Sequence, residues 1–121
     1  MLRPSSFLKK MYNFYNKQYF DNKLPQDTVC VFVPRLDNVK CKKNMHRRTC
    51  AVTRWYEDAP IIIFIRKTKD KNLRYIISDL LHEMVHIARP NAGCNSTGVY
   101  NGAFQQEMQR LARDGAFNSV W

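Results

Sequence analysis

The sequence predicts an α+β fold: an N-terminal helix, a three-stranded sheet, a second helix and a further C-terminal helix. Three observations predict it. Aromatic and apolar residues recur at helical spacing from Phe7 to Tyr19. Three runs rich in β-branched and aromatic residues follow, set apart by proline and turn residues. A broad apolar helical stripe from Leu73 to Val85 then carries His82-Glu83-Met84-Val85-His86. The 121 residues suffice for one domain, 1–121, with one hydrophobic core. At 45% hydrophobic and 25% charged residues, the composition is that of a globular chain.

Ser5 and Ser6 after Pro4 offer a cap for the first helix, whose inward stripe is Phe7, Leu8, Met11, Phe14, Tyr15 and Tyr19. Lys9, Lys10, Asn13 and Lys17 fill the other face, and the helix ends near Phe20 before Pro25 forces an extended path. Thr28 to Val33 reads as a strand, Thr49 to Tyr56 as a second, and Ile61 to Ile65 as a third buried on both faces. Glu57-Asp58-Ala59-Pro60 is the expected turn between the last two. Asp70 or Asn72 caps the second helix, which Arg89-Pro90-Asn91-Ala92-Gly93 terminates. Asn101 caps a third, with Phe104, Met108 and Leu111 inward and Asp114-Gly115 as its stop. The tail from Ala116 to Trp121 is apolar enough to pack back on the domain.

Twenty Lys and Arg against ten Asp and Glu give a net charge of +10, which makes an anionic partner, most simply nucleic acid, a fair expectation. A basic stretch with Lys40, Lys42, Lys43, Arg47 and Arg48 runs toward Arg54, Trp55 and Tyr56, joining charge to aromatics as a single-strand-binding surface does; a solvated charged loop is the competing reading. No apolar run reaches bilayer length and the N-terminus lacks a secretory signal, so the expected location is cytoplasmic, that of the host cell if the protein is viral. Cys30, Cys41, Cys50 and Cys94 then read as reduced thiols. Cys41, His46 and Cys50, with Cys30 as a fourth, have the residue types of a zinc site but not a recognised spacing, and read better as incidental thiols in a basic loop.

Within a helix, His82 and His86 lie one turn apart on one face, as two ligands of one metal ion must. Glu83 projects beside them and is a residue type able to take a proton from zinc-bound water. The bland alternative is a satisfied structural histidine pair. Asp79 is either an orienting partner for an imidazole or an ordinary exposed carboxylate.

The order of elements, with Tyr19-Phe20-Asp21-Asn22-Lys23-Leu24-Pro25 leading into the sheet, Leu80 to His86 in the motif helix and Phe104 to Phe117 beyond it, resembles the SprT-like (Spartan-type) zinc metallopeptidases, especially small members from bacteriophages. The resemblance spans nearly the whole chain, although only the central motif is specific by itself. It implies a zincin-like fold, a Zn2+ cofactor held by His82 and His86, Glu83 as general base, and a protein substrate associated with or crosslinked to DNA. The family's third ligand is a histidine in a His-Gly-x-x-Phe segment, where this chain has Tyr100-Asn101-Gly102-Ala103-Phe104. Counting back from Phe104 puts Tyr100 in that place, as a phenolate; anchoring on Gly102 instead puts Asn101 there with a one-residue shift. Glu107, two turns along the helix, is the alternative by chemistry, and Cys94 offers a thiolate from the intervening loop. The competing reading is a scaffold of this type that has lost catalysis and serves as a nucleic-acid-binding module.

Overall fold

The structure, a computed structural model, describes residues 3–36, 50–69, 71–89 and 102–118. The expectations placed on Asp70, on the basic stretch with Cys41 and His46, on Cys94, Tyr100 and Asn101, and on the tail from residue 119 lie outside the described residues.

Helix α1 spans Ser6–Tyr19, and the Ser5 hydroxyl accepts the Leu8 amide at 3.1 Å, satisfying an amide the first turn leaves without a partner. Its buried face is Leu8, Tyr12, Tyr15 and Asn16. The expected stripe is corrected here: Phe7 and Phe14 are 41% and 55% exposed. Each stands one residue, about 100° of helix, off the line through Leu8 and Tyr15. The helix stops where Asp21 and Asn22 take left-handed conformations, φ 53° and 57°. Asn16 secures that turn, its amide donating to the Leu24 carbonyl at 3.0 Å and accepting the Leu24 N–H at 3.1 Å.

Strands β1 (Val29–Val33), β2 (Ala51–Tyr56) and β3 (Ala59–Arg66) form one sheet in the order β1-β3-β2. β3 is central, parallel to β1 from Val29↔Ile62 to Val33↔Arg66 and antiparallel to β2. The β2–β3 turn is tighter than expected. Asp58, with φ 57°, makes the reversal beside Glu57, while Ala59 and Pro60 already belong to β3. Pro60 lacks the N–H a ladder needs, and the register shifts between Arg54 and Tyr56 at that end of the strand pair. The outer edge of β1 is met by an antiparallel bridge from Pro4 to Val31, with the Ser5 N–H donating to the Cys30 carbonyl at 2.8 Å.

One sheet face, through Cys30, Ile63 and Ile65, joins the main core with α1 and α2; the other buries Val31, Val33, Leu36 and Phe64 in a smaller cluster. Helix α2 (Leu73–Ala88) begins at Asn72, whose side chain accepts the Tyr75 amide at 3.3 Å. Leu80, Leu81, Met84 and Val85 are fully buried. Each contributes roughly 1.5–3 kcal/mol, so the rotation of α2 about its own axis is fixed by its core side. Leu73, expected in the stripe, lies in the first turn and is 53% exposed. Helix α3 (Gly102–Arg113) buries Phe104, Glu107 and Leu111; Gly115, at φ +94°, turns the chain so that Ala116 packs into the core. Among the described residues, no helix is long and apolar enough to cross a membrane.

Candidate metal centre

The spacing of His82 and His86 places their rings on the same side of α2, with centroids 5.0 Å apart. Both residues are half-buried at the margin of the buried stripe, whereas Glu83 between them is only 4% exposed. The imidazole nitrogens and a Glu83 carboxylate oxygen lie within 4.8 Å of one another, forming a group that can hold a metal ion. Two imidazoles with a carboxylate are donors that suit a borderline divalent cation.

Helix α3 closes one side of this group. The Phe104 ring lies 4.9 Å from the His82 ring and 4.7 Å from that of His86, limiting rotation of both imidazoles. Strand β2 reaches the group from the sheet: the Thr53 hydroxyl donates to Glu83 Oε1 at 2.7 Å. Thr53 pairs with Ile63 and Ala51 with Ile65, which sets Thr53 on the sheet face turned to α2. Sequence reasoning missed Thr53. The available signal was a polar residue at an inward position of an alternating strand, legible only once the register was known.

Burial raises the Glu83 carboxyl to about 7, the Thr53 hydrogen bond opposing and the charge of Asp79 adding to the rise. Burial also lowers the His82 pKa below its ordinary value, with Asp79 opposing. A neutral imidazole is the form that binds metal, so the environment of His82 favours the ligating state. Asp79 is not an open surface carboxylate. It is 19% exposed and pairs with Lys71 at 2.5 Å, while the same Lys71 Nζ donates to the Arg66 carbonyl at 2.6 Å.

Compared with known proteins, the chain matches no family model, no curated protein and no solved structure. The resemblance to SprT-like enzymes therefore rests on the sequence motifs alone.

Of the candidate third ligands, Tyr100 and Cys94 lie outside the described residues. The Glu107 carboxylate is held elsewhere. Arg110 grips its Oε1 through two nitrogens, Nε at 2.8 Å, and Arg89 lies 3.4 Å from Oε2. A separate cavity of about 410 Å³ between the ends of α1 and α2 and the body of α3 is lined by Arg89, Glu107 and Arg110, and by none of the three grouped donors. Neither Cys30, buried in β1, nor Cys50 joins a metal-donor group among the described residues.

Proposed function

We propose that this protein is a zinc-dependent endopeptidase of SprT-like type on a zincin-like domain, acting on proteins associated with or crosslinked to DNA. The observation that supports this best is the grouping of His82, Glu83 and His86 on one face of α2, with Glu83 buried and its carboxyl raised to about 7. A general base works best with a pKa near the operating pH. His82 and His86 would hold the ion, and Zn2+ bound there would supply Lewis-acid polarisation of the scissile carbonyl and acidify the attacking water. Glu83 takes the attacking water's proton on the oxygen that Thr53 leaves open and returns it to the leaving amine. Phe104 keeps the two imidazoles in ligating orientation and excludes water from one side. The third protein ligand in this reading is Tyr100; Glu107, the other candidate of the sequence, is engaged by Arg110 and Arg89 instead.

The test pairs metal analysis with Glu83→Gln. Wild type should carry zinc and digest a DNA-bound protein. Glu83→Gln should keep the zinc and lose about 10²–10⁴-fold in rate, as removal of a positioned base does. Wild type without zinc, and as inactive as the variant, would overturn the enzyme.

A second reading, a nucleic-acid-binding module without catalysis, is favoured by exposed aromatics on β2. Trp55 and Tyr56 are 49% and 40% exposed at the end of β2, and the Arg54 guanidinium lies over the Tyr56 ring at 5.4 Å. This reading keeps nucleic-acid affinity while predicting no cleavage.

A further inference from the structure

A carboxylate beside two imidazoles can serve in two ways, as a base standing off a metal ion or as a ligand bound to it. The donor atoms of His82, Glu83 and His86 lie within 4.8 Å of one another. Ligands of a tetrahedral zinc ion stand about 3.4 Å apart, as bonds of about 2.0–2.1 Å require. A modest rotation of Glu83 therefore suffices to bring its carboxylate onto the ion, and carboxylates are ordinary zinc ligands. As a ligand, Glu83 would surrender its role as base.

What opposes that rotation comes from a different element. Thr53 Oγ1 donates to Glu83 Oε1 at 2.7 Å, reaching across 30 residues of sequence from a strand whose register is fixed against β3. Glu83 is 4% exposed, so water competes little for that oxygen. We propose that Thr53 is a positioning residue that withholds Glu83 from the metal's coordination shell, keeping one carboxylate oxygen anchored and the other open as base. The proposal rests on the zinc-peptidase reading of the same site and deepens it: Thr53 decides which of its two roles Glu83 performs.

Thr53→Val removes the hydroxyl and keeps the β-branched shape, so β2 retains its strand preference, while Thr53→Ser keeps the donor and drops only the methyl. Zinc affinity is measured by calorimetry on the full chain for wild type, Thr53→Val, Thr53→Ser, Glu83→Gln and the Thr53→Val/Glu83→Gln pair. Thr53→Val should bind zinc about tenfold tighter than wild type, because the released carboxylate joins the imidazoles. The gain should vanish in the Glu83→Gln background, and Thr53→Ser should bind like wild type. A second readout needs no metal. The chain has three Glu, at positions 57, 83 and 107, so a carboxyl-labelled sample gives a Glu83 carbon signal identified by its loss in Glu83→Gln. That signal should move in metal-free Thr53→Val and stay in Thr53→Ser.

Zinc affinity in Thr53→Val equal to or weaker than wild type overturns the proposal, as does the same tightening in the Glu83→Gln background. Cleavage by wild type alongside unchanged affinity in Thr53→Val rejects the role of Thr53 and leaves the peptidase standing. The expected affinity cycle with an inactive wild type does the reverse. A wild type that binds no zinc overturns both.

Discussion

Cys30 and Tyr12 carry acidic protons into the core. Burial pushes the Cys30 thiol up to about 11 from 9.0, Lys9 opposing, and pushes the Tyr12 phenol up to about 12 from 10.0, the Thr28 hydrogen bond opposing. An acid with a raised folded pKa stabilises the fold fully below its unfolded value and loses that contribution as pH climbs through the folded one. Above the range around pH 7 in which the raised Glu83 carboxyl titrates, the melting temperature should hold to about pH 9, and it should fall between roughly pH 9 and 12. Cys30→Ala should melt lower at neutral pH, through the cavity it leaves, but decline less steeply above pH 9. Identical alkaline slopes in variant and wild type would exclude the thiol. Local spacing made single residues readable unevenly. His82, Glu83 and His86 were legible because one helical turn defines their relation. Thr53 was not, since its contact with Glu83 depends on how β2 registers on β3. The opposed charges on Glu107 are a tertiary fact too, because one of its partners, Arg89, belongs to another helix.

The elements were easier to read than their boundaries. Each helix and strand has a local periodic pattern, and the α+β composition of three helices and three strands follows from those patterns. The sheet order β1-β3-β2 does not, because nothing local states that β3 inserts between the first two strands. The inward side of α1 also needed tertiary contacts, since Phe7 and Phe14 satisfy the helical period yet face outward. The α2–α3 junction makes a prediction at this scale. Glu107, with 7% side-chain exposure, joins the end of α2 through Arg89 to the body of α3 through Arg110, and Arg110 donates onward to the Tyr19 carbonyl of α1 at 2.8 Å. Glu107→Ala strips a buried anion from two guanidinium groups. It should cost about 2–4 kcal/mol of stability in denaturant unfolding, somewhat below the full cost of a broken buried pair because the arginines are partly exposed. Zinc content should not change, as the carboxylate is engaged by arginine and lies outside the grouped donors. Loss of zinc at preserved fold would instead make Glu107 the third ligand.

Across the whole molecule the net charge of +10 must act on something or merely keep copies apart. The two possibilities separate by salt dependence. Phosphate contacts release counterions, so a site that neutralises several phosphates on single-stranded DNA loses affinity steeply as salt rises, with a log–log slope of roughly −0.7 per contact. The described surface adds a chemical feature that charge alone lacks: near the β2–β3 turn Trp55 and Tyr56 are exposed, and Arg54 lies over the Tyr56 ring. If bases stack there, Trp55→Ala should weaken single-strand binding by about 1–3 kcal/mol and leave the salt slope unchanged, since no phosphate contact is removed. Arg54→Ala should instead reduce the slope by nearly one phosphate's share. The two variants, titrated by fluorescence anisotropy at several salt concentrations, thus distinguish a stacking platform from a diffuse positive field. Equal effects on the slope, or no loss in either variant, would remove the hairpin as the nucleic-acid contact. Double-stranded DNA tests the same point from the other side, because paired bases offer no free faces to Trp55 and the Trp55→Ala penalty should vanish with it.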